Sequence, residues 1–377
     1  MWKNVRSRTI SAIVHAPAIH GGRHISGQRF IDIFAGCGGL AYGFVSAGFT
    51  HAGAVEVDAL AAETYKANVD DAVLIAEIST VRVWPKAEVL LGGPPCQGFS
   101  QLGSRSGADP RNGLWREYVR ALDGTQAVVF VMENVPQLLK SRQFAMFTRE
   151  VGARGFQLAE LHVLNAADYG VPQKRLRAIV IGSRLGDPKL PTPTHGGAVV
   201  PYETVRHAFS TPTALPAEPD GRNWHRARNG IRPSSITRYR AVPAGGNRFD
   251  MQRELDRRNL GHLVPRCWRE KPSGTTDVFG RLRWNEPSVT IRTEFFKPEK
   301  GRYLHPTEHR PITVREAARL QSFPDTFVFP EHQSLVSVAR QIGNAVPPRL
   351  AQAIAQEVAC HIADPTRSRH QLELLAV

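Results

Sequence analysis

The chain has 377 residues, enough for a full α/β core and a second, smaller domain. A formal net charge of +14 and a pI near 10.1 call for a polyanionic partner, with an anionic membrane surface as the alternative. No apolar run suggests a spanning helix or a secretory core. The four cysteines (Cys37, Cys96, Cys267, Cys360) form no C-x-x-C pair and no zinc spacing with histidine, so no metal is expected and a reducing cytosol is.

The charge is uneven. Residues 1–29 hold Lys3, Arg6, Arg8, Arg23 and Arg29 with no acid, and residues 221–270 hold 12 Arg, no Lys and four acids; the remainder is close to neutral. Residues 1–28 lack periodicity and read as a basic, disordered arm, although their composition overlaps that of organelle transit peptides.

Order begins at residue 29. Residues 29–34 read as a strand, the glycine run after Phe34 as a turn, and the stretch to Ala47 as a helix ended by Gly48. Glycines there let a ligand approach the backbone, and a helix N-terminus offers N–H groups to an anion. A second strand over 51–57 ends in Glu56-Val57-Asp58; an acid at that point suits ribose hydroxyls. A helix over 59–68 and a short strand over 73–76 follow.

Residues 87–91 read as a buried parallel strand. Gly92-Gly93-Pro94-Pro95-Cys96-Gln97-Gly98-Phe99-Ser100 then places Cys96 on a rigid loop at a strand's C-terminal end, where open α/β sheets bind ligands. A structural cysteine in a tight turn is the alternative. Residues 101–113 are polar and glycine-rich, as in a loop that closes over substrate, or a solvated loop with no role. A helix opens at Leu114. An apolar strand over 127–132 leads to Glu133-Asn134-Val135-Pro136, which puts a carboxylate at a strand's C-terminal edge. A helix over 143–154 follows. Residues 156–165 and 176–182 read as an antiparallel pair around Asp168-Tyr169-Gly170-Val171-Pro172-Gln173-Lys174-Arg175-Leu176-Arg177.

From residue 183 the character changes. Residues 188–219 are rich in Pro, Thr and Gly. The arginine block has Trp224, Tyr239 and Trp268 interleaved, and 275–286 and 287–293 resemble short strands with turns. Residues 310–324 carry a helix signature, with Thr313 as cap, Glu316 completing a capping box and Pro324 beyond the end. Gln341-Ile342-Gly343-Asn344-Ala345-Val346-Pro347-Pro348 leads into a helix to about His361, and a disordered tail follows Asp364.

In this order the motifs resemble those of the cytosine-5 DNA methyltransferases of bacterial restriction-modification type, over roughly 29–182 and 310–360. The resemblance implies a doubly wound Rossmann-like α/β sheet. It assigns 29–182 to a catalytic and cofactor-binding domain, 183–309 to an inserted target-recognition domain, and 310–363 to C-terminal helices completing the catalytic domain. It implies S-adenosylmethionine as cofactor, held by Phe34, Ala35, Gly36, Gly38, Gly39, Leu40, Glu56, Val57, Glu77, Ile78, Pro94, Leu114, Asn344 and Ala345. Where the family usually has Asp beside the adenine, this chain has the longer Glu77.

Cys96 would attack cytosine, Glu133 would act on the ring, and Arg177 and Arg175 would lie near the flipped base and the phosphates. Within the arginine block, Arg222, Arg226, Arg228, Arg232, Arg238, Arg240 and Arg248 are candidate DNA contacts, since Arg can grip guanine's major-groove edge. The expected partner is double-stranded DNA, for a monomer with no obligate protein partner and no membrane, in a bacterial cytoplasm at the nucleoid. An RNA (tRNA) cytosine-5 methyltransferase, and a DNA-binding protein on a dead catalytic fold, are the alternatives.

Overall fold

A computed structural model describes residues 27–95, 113–197, 200–210, 224–225, 230–270 and 277–364. The arm, the tail, Cys96, Arg222, Arg226 and Arg228 lie outside the described residues.

The chain divides into two compact units. One holds 1–169, 176–194 and 345–377; the other holds 170–175 and 195–344. The first is built on an eight-stranded sheet: β1 (Arg29–Ile33), β2 (Thr50–Glu56), β3 (Val73–Ile75), β4 (Val89–Gly92), β5 (Val129–Asn134), β6 (Gln157–Leu158), β7 (His162–Asn165) and β8 (Leu176–Ser183). The order runs β3-β2-β1-β4-β5-β8, with β6 and β7 both paired to β8. Strands β1 to β5 are parallel, and β8 joins antiparallel. The doubly wound α/β expectation holds.

Strand alternation decides which side chains face which layer. Ile31 and Ile33 point into a core with Leu90, Phe130 and Met132. Trp115 and Tyr118 of α3 (Leu114–Thr125) and Phe144 and Phe147 of α4 (Arg142–Ala153) complete it. Phe30 points the other way, to Phe44 of α1 (Gly39–Ser46), and His51 to Tyr65 of α2 (Ala59–Asn68). The C-terminal α11 (Pro348–Ile362) packs on α1, and its His361 Nε2 meets Ser183 Oγ at 2.7 Å.

The second unit is helical: α5 (Val205–Ser210), α6 (Pro233–Arg240), α7 (Arg248–Arg257), α8 (Arg266–Glu270), α9 (Val314–Leu320) and α10 (Leu335–Asn344). Residues expected as strands over 275–293 form only isolated bridges and turns among the described residues, at Arg281 and Ser288. Arginine replaces a ladder there. Arg281 donates to the carbonyls of Val242 (2.7 Å), His305 (2.8 Å) and Tyr239 (2.6 Å). Arg302 donates to those of Gly245, Gly246 and Arg281.

Two boundaries differ from expectation. Helices α9 and α10 group with the second unit, so of residues 310–363 the first unit takes α11 and the turn before it. Residues 341–344, read as a lead-in, are the last turn of α10.

The contact of α1 with α11 sets the placement of the C-terminal helix. A Cβ on Gly43 would lie 2.4 Å from Ala351 Cβ and 2.6 Å from the Gln352 nitrogen. Helix propensity favours Ala by about 1 kcal/mol, whereas overpacking against backbone costs about 1–3 kcal/mol. Gly43→Ala is therefore expected to lower unfolding free energy in urea titration; a stabilised variant would refute this packing.

Candidate active site

The parallel strands end at one edge, because Ile33 pairs with Val55 and Gly92, and Gly92 with Met132. Strand order reverses between β1 and β4, so the loops after them leave toward different layers and open a crevice.

The β1 loop is strained. Phe34 has φ 56°, a left-handed value costly outside glycine, and Gly36 and Gly38 follow at φ 56° and 92°. A Cβ on Gly36 would meet nothing within 4 Å, whereas one on Gly38 would press on Tyr65 and Val69 at 2.9 Å. The loop is thus open above Gly36 and packed beneath Gly38, and no side chain caps α1. Ala35, Gly39 and Leu40 are buried.

Glu56, at the end of β2, clasps this loop. Its Oε2 accepts from the Gly36 N–H at 2.7 Å and its Oε1 from the Asp58 N–H at 2.8 Å. Burial raises its pKa, and the two amide bonds oppose the rise. Each oxygen keeps acceptor capacity for a ribose hydroxyl. Val57 beside it is 57% exposed, Ile78 is buried and Glu77 exposed. Leu114, half-buried, packs on the core below. An open glycine cradle with an acid and an apolar side chain beside it fits S-adenosylmethionine. Asn344 is an exposed residue ending α10 in the second unit, and Ala345 follows it in the first.

The β4 loop is described as far as Pro95. Buried Pro94 offers its carbonyl to Asn134 Nδ2 at 2.7 Å, while Asn134 Oδ1 accepts from the Val135 N–H at 2.9 Å. The base of the Cys96 loop is therefore tied to the end of β5. Glu133 lies alongside: its Oε2 is 3.3 Å from where a Cβ on Gly93 would stand. Its Oε1 is 2.7 Å from Arg177 Nε, with side-chain exposures of 10% and 14%. That N–H is not aligned on the oxygen, so the pairing is electrostatic. Arg177 Nη1 donates to the Leu176 carbonyl.

Arg175 is placed otherwise than expected. It has no exposed surface, and its guanidinium donates to the carbonyls of Ile291 (3.2 Å) and Gly343 (3.0 Å), joining a loop to the last turn of α10 within the second unit. It is not presented to a base or phosphate. Arg248 is also corrected: it is buried, with its guanidinium over the rings of Phe249 (4.4 Å) and Trp268 (5.8 Å). Arg232 and Arg240 are exposed and Arg238 half-buried, at the two ends of α6.

A model of the C-5 cytosine-specific DNA methylases matches residues 28–360. The chain belongs to that family. The methylase is 35% identical over 346 residues to the Type II methyltransferase M1.HphI of Haemophilus parahaemolyticus, covering 87% of this chain and 86% of that one. It is 32% identical over 377 residues to M.DdeI of Desulfomicrobium norvegicum, covering 88% of each. Among solved structures, an Escherichia coli prophage protein proposed to be a DNA modification methyltransferase superposes with TM-score 0.59, at 26% identity over 88% of this chain and 98% of that one. Schizosaccharomyces pombe Dnmt2, at 16% identity, TM-score 0.55 and coverage of 89% and 98%, shares the fold. The family transfers methyl groups to cytosine in DNA from S-adenosylmethionine, and the matches favour DNA over the RNA alternative. No helix among the described residues is long and apolar enough to cross a membrane.

Two buried polar residues near this crevice, Asn134 and Asp32, carry no role assigned from sequence. For Asn134, a lone amide ending the apolar strand β5 is the available signal. Asp32 stands between Ile31 and Ile33, and an acid flanked by buried residues in a parallel strand was its signal. Asp32 is 1% exposed, and burial, reinforced by the charge of Glu56, holds its carboxyl well above the usual range. A carboxyl raised in the folded state contributes stability that is fully present below the unfolded pKa of about 3.9 and is lost as pH rises through the folded value. The unfolding free energy of Asp32→Asn should therefore gain on that of the native chain as pH is raised above about 4. A difference that stays flat with pH would show that Asp32 ionises without penalty.

Proposed function

We propose that this methylase acts on a specific DNA site, on a cytosine flipped out of the duplex, through a covalent adduct to Cys96. The observation that carries this is the tie between Pro94 and Asn134, beside the Glu133–Arg177 pair, at the root of the Cys96 loop. It brings a carboxylate and a guanidinium to the strand edge from which the nucleophile's loop departs.

Carbon 5 of cytosine is a poor nucleophile. The Cys96 thiolate adds to carbon 6, forming a C–S bond and pushing electrons toward ring nitrogen 3. Glu133 delivers a proton or a hydrogen bond to that nitrogen, and Arg177 orients the ring through its carbonyl oxygen while holding Glu133 in place. S-adenosylmethionine supplies the methyl group that carbon 5 then accepts. A base removes the carbon 5 proton, the C–S bond breaks, and the thiolate is restored. Stacking blocks carbon 6 inside the duplex, so the base must leave the helix.

Phe34, Ala35, Gly36, Gly38, Gly39, Leu40, Glu56 and Val57 form the cofactor side of the crevice, with Pro94 and Leu114 bordering it. We assign the enzyme to the modification half of a restriction-modification system, in accord with its Type II relatives. It acts as a monomer in the cytoplasm at the nucleoid.

Cys96→Ala is expected to abolish methylation and keep cofactor binding. DNA containing 5-fluorocytosine should form a denaturation-resistant adduct with the native protein alone, because fluorine replaces the proton that must leave. Turnover by the alanine variant would remove Cys96 from the mechanism. Glu133→Gln should lower turnover by about 10²–10⁴-fold, with S-adenosylmethionine affinity little changed in calorimetry. Loss of cofactor binding with chemistry intact would place Glu133 on the wrong ligand.

A further inference from the structure

The arginines of the described part of the target-recognition block are not equivalent. On α7 and α8, Arg253 pairs with Asp250, Arg257 (2.8 Å) and Arg258 with Glu254, Arg266 with Glu270, and Arg269 with Asp256 (2.6 Å). These five arginines share four acids, two of the arginines meeting on Glu254, so most of their charge is offset locally, and Arg248 is buried against aromatic rings. Arg232, Arg238 and Arg240 of α6 have no ion pair among the described residues, and α6 carries no acid.

A second donor stands near the carbonyl of Tyr239, the residue before Arg240, because Arg281 Nη2 meets both that carbonyl (2.6 Å) and His309. His309 is exposed, and its Nδ1 lies 3.0 Å from Arg281 Nη2. A guanidinium only donates, so Nδ1 must be the acceptor, which leaves the ring proton on Nε2. Partial burial and the charges of Arg281 and Arg240 hold His309 below the ordinary histidine range, which keeps the ring neutral. Arg281 itself is fixed from behind by the carbonyls of Val242, His305 and Tyr239. The neighbouring acid, Glu308, is paired with Arg310 at 2.6 Å.

We propose that Arg240 and His309, backed by Arg281, contact a backbone phosphate of the DNA. Arg240 supplies a charge that no acid among the described residues cancels. His309 supplies a neutral, oriented N–H. Arg281 fixes the tautomer and adds positive potential without leaving its carbonyl anchors. Such a contact carries no sequence information and positions the duplex. The inference rests on the DNA methylase reading.

Because a phosphate contact is indifferent to sequence, it can be tested on a short random duplex, with affinity followed by fluorescence anisotropy across a salt series. Arg240→Gln should weaken binding about tenfold at low salt and make the slope of log K against log salt shallower by about 0.9. Arg240→Lys should restore most of that slope. His309→Ala should weaken binding severalfold and leave the slope unchanged, since the ring carries no charge. Arg257→Gln, which breaks an internal pair with Glu254, should alter neither. An Arg240→Gln protein that binds S-adenosylmethionine and shows the native salt slope would sink the phosphate contact. So would His309→Ala binding as tightly as the native chain, or Arg257→Gln losing as much as Arg240→Gln. Failure of the native enzyme to methylate any DNA would instead overturn the reading on which the proposal rests.

Discussion

A parallel sheet that reverses its winding once leaves a gap between the two strands at the reversal, and here those strands are β1 and β4. The candidate site follows from that gap. The glycine loop leaves one side of it, the Pro94 loop leaves the other, and β5 lies next to β4 and delivers Glu133 and Asn134. The register matters as much as the order. A one-residue slip of β5 would exchange the faces of Glu133 and Asn134, separating the amide from the Pro94 carbonyl and the carboxylate from Arg177.

The crevice also explains why polar groups are tolerated in the first unit's core. Glu56 is buried but its two oxygens receive backbone N–H groups, so its desolvation is offset by hydrogen bonds that also shape the glycine loop. Asp32 has no such compensation for Oδ2 among the described residues, and burial raises its pKa well above the usual carboxylate range. The buried Cys37 thiol is pushed up to about 12 by burial, which leaves it a poor nucleophile.

In the second unit, arginine has two opposed uses. Arg175, Arg281, Arg302 and Arg315 are buried, and their guanidiniums collect carbonyls from loops and helix ends that no strand among the described residues pairs. Burying such a charge is tolerable only with several acceptors around it, and burial lowers the pKa of Arg315 to about 10. Arg253, Arg257 and Arg258, on and just after α7, are held by acids one helical turn away. Net charge therefore overstates how many cations are available to DNA.

The sequence by itself determined the strands and helices of the first unit, since period-2 and period-3.6 patterns and capping boxes are local. The strands carrying Glu56 and Glu133 were legible for that reason, as was the Thr313–Glu316 box of the second unit. Motif order also exposed the family, and with it the cofactor. The turns of 277–293 misread as strands, because no periodic code describes backbone held by distant guanidiniums. Only the tertiary structure decided that Arg177 faces Glu133 whereas Arg175, two residues away, is buried among the carbonyls of Ile291 and Gly343. It likewise decided which arginines of one basic block are already neutralised. A residue's type and spacing state what it can bind; its partner depends on chain that lies many residues away and is brought near by folding.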